Sequence, residues 1–157
     1  MTLSFTVTGL DPAPFAPLFA LDEAGLLAAG ARRQVVDAPG AFPCRASLDD
    51  ALPGERVVLV NHQHQPAFTP YRSAHAIYVR EGVDEARRTV DAVPLALARR
   101  VLSLRCFDSG HMIVTADLVA GAEAIPVIRR LLEWPEVAYI HAHYAKYGCY
   151  AARIDRA

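Results

Sequence analysis

The chain has only one lysine, Lys146, among 16 basic residues, and it lacks four things more: a long apolar run, a basic leader, an even set of cysteines and an excess of charge. Each absence removes a class of protein. A membrane-spanning helix needs roughly 20 consecutive apolar residues, and no stretch approaches that. The opening "MTLSFTVTGL" has neither a basic n-region nor an apolar h-region, so the expected location is the cytoplasm and no membrane partner is expected. Cys44, Cys106 and Cys149 are an odd number without zinc-finger spacing, which argues against a disulfide framework. A net charge of -1 gives no reason to expect a nucleic-acid partner. The arginine pairs beginning at Arg32, Arg87, Arg99 and Arg129 are far apart and build no patch, because neighbours on a strand point to opposite faces.

What is present suits one globular unit. Composition is 53% hydrophobic and 21% charged, no repeat or linker interrupts it, and residues 1–157 read as a single domain. "LSFTVT" alternates with the period of a strand, and Asp11-Pro12 then opens a short helix carrying Phe15, Leu18 and Phe19 inward. A second helix is expected from Asp22 to Ala29, ending at Gly30. "RRQVV", "RVVLVNH" and "AHAIYVRE" read as strands, Ser47 to Ala51 and Pro94 to Ala98 as helical turns, and "EAIPVIRRLLEW" as an amphipathic helix.

Two hairpins can be registered residue by residue. A three-residue loop with a glycine at its last position fits Asp108-Ser109-Gly110 and Lys146-Tyr147-Gly148. The first register opposes Cys106 to Met112 and Leu104 to Val114, giving an apolar face of Leu102, Leu104, Cys106, Met112, Val114 and Ala116. Arg105 and Asp117 then share the other face. The second opposes Arg153 to His141 and Ala151 to His143. It sets His141, His143, Cys149 and Arg153 on one face and Ile140, Ala142, Tyr144, Tyr150, Ala152 and Ile154 on the other.

Three chemistries suit those residues. Histidines two apart on a strand project to one side, so His141 and His143, joined by His64 from "NHQHQ", offer ligands for a divalent transition metal; satisfied histidines in a polar layer are the plain alternative. Cys149 beside His143 has the form of a nucleophile and its base, against a small buried thiol. Arg45, Arg72, Arg105 and Arg153, with Tyr71, suit an anion, against internal ion pairing of Arg105 to Asp117 or Asp108.

The blocks "FPCRASLDDALPGE", "HQPAFTPYRSAHAIYVRE", "LSLRCFD" and "YIHAHYAKYGCYAARIDR" resemble a bacterial family known as domain of unknown function 1203. The resemblance covers most of the chain and implies a single soluble domain; it brings no reaction, cofactor or catalytic residue. Its blocks contain Arg45, His64, Tyr71, Arg72, His75, Arg105, His141, His143, Cys149 and Arg153, which are treated as one site gathered from distant segments. The expectation is an α+β fold with a mostly antiparallel sheet, its apolar face covered by the Ile125 to Trp134 helix and the N-terminal helices. On its polar side Arg72, Arg105 and Arg153 would hold an anionic small molecule while His141 and His143 act as acid/base groups or metal ligands. The competing class is a non-catalytic binding or interaction protein whose His/Arg cluster is a structural network.

Overall fold

A computed structural model describes residues 2–157. The fold is α+β, with every strand pairing antiparallel. The alternation of "LSFTVT" closes into β1 (Phe5–Thr8), which lies between β5 (Arg88–Val90) and β9 (Tyr150–Arg156). With β6 (Val101–Phe107), β7 (Ile113–Ala120) and β8 (Tyr139–Tyr144) they form a six-stranded sheet of order β5-β1-β9-β8-β6-β7. A separate three-stranded sheet, order β2-β3-β4, is built from β2 (Arg32–Val35), β3 (Arg56–Gln65) and β4 (Ser73–Arg80).

Local chemistry sets the helices. Asp11 accepts the Ala13 amide and opens Ala13–Ala20, which winds as a 3-10 helix because Pro14 and Pro17 cannot donate to an α-helical ladder. Asp22 caps α1 (Glu23–Ala28) by accepting the Gly25 amide at 2.8 Å. α2 (Leu95–Ala98) is one turn, and α3 (Ala124–Leu132) tolerates Pro126 in its first turn. Ser47 to Ala51 is not helical: Leu48 has φ 57° and Pro43 bridges Asp50, making a tight return.

Each sheet has its own helical cover. Ile128, Leu131 and Leu132 of α3, with Leu97 of α2, press on Leu102, Leu104, Cys106, Ile140, Ala142 and Ile154 of the large sheet. The N-terminal helices, expected on that same face, instead lay Phe15, Leu18, Phe19 and Leu26 against Val58, Val60, Ile77 and Val79 of the small sheet. Three strands with one apolar face need a cover of their own to be stable.

The expected β8–β9 register holds near its core and shifts by one residue toward the turn, whereas the expected β6–β7 register is displaced along its whole length. In β6–β7, Asp108 accepts amides from Gly110 and Met112, so the loop runs on to Met112 and the positive φ falls on His111. Cys106 consequently faces Thr115 and Leu104 faces Asp117, while Met112, Val114 and Ala116 turn outward to solvent. In β8–β9, Ile140 pairs with Ile154, His141 with Arg153 and Ala142 with Ala152 as expected, with Gly148 at φ 78° in the turn. The register then shifts at Ala151, so Tyr150, and not Ala151, faces His143, while the Cys149 carbonyl accepts the Tyr144 amide. Tyr150 and Cys149 thereby exchange the faces the sequence had given them.

The segment Pro43–Ala46 is clamped between the two sheets. Arg45 donates its amide to the Tyr78 carbonyl and accepts the Leu10 amide, and Ala46 accepts the Arg87 amide. Gly9 lies so close that a Cβ there would stand 2.3 Å from the Ala46 carbonyl oxygen. Gly9→Ala is therefore expected to cost ~2–4 kcal/mol in urea unfolding, because backbone must move. Gly110→Ala, whose Cβ would meet only the Asp108 carboxylate at 3.3 Å, serves as the near-neutral control.

Candidate functional site

The far end of β3 crosses the polar face of the large sheet and brings the two histidine pairs together. His64 lies 4.9 Å from His143 and 6.3 Å from His141 between ring centroids, and His141 lies 6.4 Å from His143. Tyr150 stacks on His64 at 5.5 Å with an interplanar angle of 9° and presents its edge to His141 and His143. Phe107 and Tyr139 extend this layer on the far side of His141. Gln65 donates to the Tyr139 hydroxyl at 2.9 Å, fastening the small sheet to the large one.

Hydrogen bonds fix two of the tautomers. Ser73 spends its hydroxyl proton on the Tyr71 carbonyl, so it accepts from His64 Nε2–H at 3.0 Å and leaves His64 Nδ1 with a bare lone pair. His143 donates Nδ1–H to the Gly148 carbonyl at 2.9 Å, leaving Nε2 bare. The Nδ1 atoms of His64 and His141 are buried without a hydrogen-bond partner. Burial above all, then neighbouring positive charge, brings His64 down to about 4 and His141 to about 3. Burial brings His143 to about 3 as well, against its bond to Gly148. All three rings are neutral at pH 7, and an imidazole held so low is a weak proton acceptor there.

The metal expectation for His64, His141 and His143 finds no ready ligand set. Among the described residues, no group of three or more His, Cys, Asp or Glu side chains is arranged to hold a metal ion. Two imidazoles on one tetrahedral zinc have ring centroids about 5 Å apart, and the two separations to His141 exceed 6 Å.

The other expected residues disperse. Arg153 stays on the histidine face, over the Tyr139 ring at 4.1 Å, but its guanidinium is taken by Asp155. Arg105 stands opposite His141 and, among the described residues, its side chain donates only to Ser103, at 3.4 Å. Asp117, offered by the sequence as its partner, faces Leu104 instead and binds Arg130 of α3. Tyr71 touches Phe107 edge-on, while Arg72 is exposed on the loop between β3 and β4 with no side-chain partner among the described residues. Cys149 is not paired with His143, because the shift at Ala151 sends its sulfur to the other face of the hairpin. Its partner there is Arg45, whose Nη2 donates to Cys149 Sγ at 3.0 Å.

Arg45 belongs to a second constellation. Its side chain is 2% exposed, donates to the carbonyls of Pro43 and Tyr150, and has no carboxylate partner among the described residues. It forms part of the wall of a cavity of about 540 Å3 beside the β8–β9 turn, together with Arg99, Arg100, Lys146, Tyr144 and Cys149. Leu59, Tyr78, Pro43 and Val101 make the remaining wall largely apolar. Among the described residues Asp50 is the one carboxylate bonded to these cations, at 3.5 Å from Arg99 and 2.6 Å from Arg100. The Tyr144 ring is held between the guanidiniums of Arg45 and Arg100, at 4.8 and 5.1 Å. Its hydroxyl is buried without a partner, and burial pushes it up to about 12, so it remains a neutral donor. Arg99, Arg100, Tyr144 and Lys146 were not singled out from the sequence as site residues. The available signal was the solitary lysine in a turn flanked by tyrosines.

Comparison with known proteins yields one match. A family model described as "Protein of unknown function (DUF1203)" matches residues 41–156, which include every member of both constellations. No curated protein and no solved structure matches the chain.

The buried imidazoles make stability depend on acid. Because the folded values of His141 and His143, about 3, lie below the unfolded value near 6.5, the unfolded chain binds the extra protons between them. Their contribution is complete above pH ~6.5 and is lost as pH falls from there toward 3. His143→Gln should flatten the slope of unfolding free energy between pH ~4 and ~6 by close to one proton, about 1.4 kcal/mol per pH unit. Urea titrations across that window check it; an unchanged slope would contradict a neutral, buried His143.

Proposed function

For a chain that belongs to the DUF1203 family, whose description assigns no reaction, we propose that the function is to bind a small amphipathic anion in the cavity bounded by Arg45, Arg99, Arg100 and Lys146. The observation that carries this reading is the charge imbalance of a concave, mostly apolar space: four cations answered, among the described residues, by Asp50 alone. A pocket with apolar walls and a few convergent polar groups is what a small ligand needs, and arginine forks suit carboxylate or phosphate. The unpartnered Tyr144 hydroxyl adds a neutral donor for the same group. The apolar wall of Leu59, Pro43, Val101 and Tyr78 calls for a hydrocarbon or aryl body on the ligand.

The histidine layer supports the alternative role for itself. Packed rings, low proton affinity and tautomers locked by Ser73 and Gly148 fit a structural network joining the two sheets. The proposed setting is the bacterial cytoplasm, where three free cysteines stay reduced. No helix is long and apolar enough to cross a membrane among the described residues.

Calorimetric titration with phenyl phosphate, benzoate and neutral benzyl alcohol tests the proposal. The two anions are expected to bind with Kd of about 0.01–1 mM, weakening as salt is raised, and the alcohol not to bind. Lys146→Gln and Arg99→Gln should each weaken phenyl phosphate by ~3–10-fold. Equal binding of alcohol and anions, or indifference to both substitutions, would overturn it.

A further inference from the structure

Cys149 is the one cysteine of the three in the cavity wall. Cys44 is fully buried, its sulfur accepting the amides of Ser47 and Arg80, and Cys106 is sealed in the core, where burial pushes its thiol up to about 12. Cys149 differs in its partner. Arg45 aims Nη2–H at Sγ from 3.0 Å, and that guanidinium has no carboxylate to satisfy it among the described residues. A thiol reacts as its anion, and a cation with an N–H directed at sulfur stabilises the charge the nucleophile must carry. An independent sign of a ligand is the Tyr144 hydroxyl: the residue is 3% exposed, lines the same cavity and has no partner for its O–H.

We infer that Cys149 is the nucleophile of this cavity, activated by Arg45 and directed at soft electrophiles that carry a negative charge. The inference rests on the anion-binding reading of the cavity. Arginine takes the supporting place that the sequence had suggested for His143. In the step, the Sγ electron pair forms an S–C bond, the carbon–leaving-group bond breaks, the leaving group departs with its electron pair, and the thiol proton passes to water. No oxidant or reductant is required.

Alkylation of the folded, full-length protein with iodoacetate and iodoacetamide tests this, read by intact mass and by the tryptic peptide that carries Cys149, which is Tyr147–Arg153 in the wild type and begins at Leu131 in Lys146→Gln. Simple thiols prefer the neutral amide. At Cys149 the charged reagent is expected to be the faster by roughly 5-fold or more, because a cationic cleft concentrates anions. One adduct per chain is expected, with phenyl phosphate slowing its formation. Lys146→Gln should pull the iodoacetate-to-iodoacetamide ratio down, and Arg45→Lys, which keeps charge but loses the fork, should slow both reagents at Cys149 by ~10-fold. Absence of an adduct at Cys149 with either reagent overturns the nucleophile and leaves the anion cavity to the calorimetric test. Alkylation without preference for iodoacetate and without protection by phenyl phosphate keeps the reactive thiol and overturns the anion-binding reading. If Arg45→Lys does not fold, the wild-type and Lys146→Gln rates still decide between these outcomes.

Discussion

The architecture turns on a guanidinium taken out of water. Arg45 carries its charge into the junction of the two sheets, where its side chain meets the Tyr150 carbonyl at 2.7 Å, the Pro43 carbonyl, the Cys149 sulfur and the Tyr144 ring. Burying an unpaired charge is costly, and partial compensation by carbonyl dipoles and an aromatic face makes it tolerable only in this one geometry. Removing any of those acceptors strands the charge. The peptide groups around it are equally committed, since Pro43–Ala46 bonds to β4 through Tyr78 and to the start of the large sheet through Leu10 and Arg87.

From that constraint follow two environments on opposite faces of one hairpin. The parity of β8 sends His141 and His143 toward the small sheet and Ala142 and Tyr144 away from it. The first face is filled by packed rings, and burial among them keeps its imidazoles neutral. The second borders a cavity in which cations outnumber carboxylates. Neutral histidines and a cation-lined cavity thus lie on the two faces of one hairpin, and the pleat keeps their roles apart.

Much of this was legible in the residues. Alternation placed β1 and β8, and Asp22 and Gly30 bracketed α1. The pairing of His141 with Arg153 followed from keeping Ile140, Ala142 and Ile154 on one buried face. The approach of "NHQHQ" to "YIHAHY" was only conjectured, because contacts between sheets leave no periodicity in either strand. What escaped the reading were local departures: the Asp108 side chain that lengthens one loop and displaces the β6–β7 register, and the one-residue shift at Ala151 that exchanges Cys149 with Tyr150. Such bulges are decided by loop hydrogen bonds and packing and have no fixed residue signature. Arg45 was grouped with the histidine face, whereas its segment, an irregular connector with no alternation to follow, carries it to Cys149 on the opposite face.

The β8–β9 turn serves both faces at once. Its Gly148 carbonyl anchors His143, while Lys146 and Tyr147, two and one residues earlier, border the cavity. Surface turns ordinarily drift in length among related chains, because nothing on either side measures them. This one is measured from both sides. An inserted or deleted residue would move either the histidine's anchor or the cavity's lysine, so the turn behaves as a ruler whose length is specified by two separate readers.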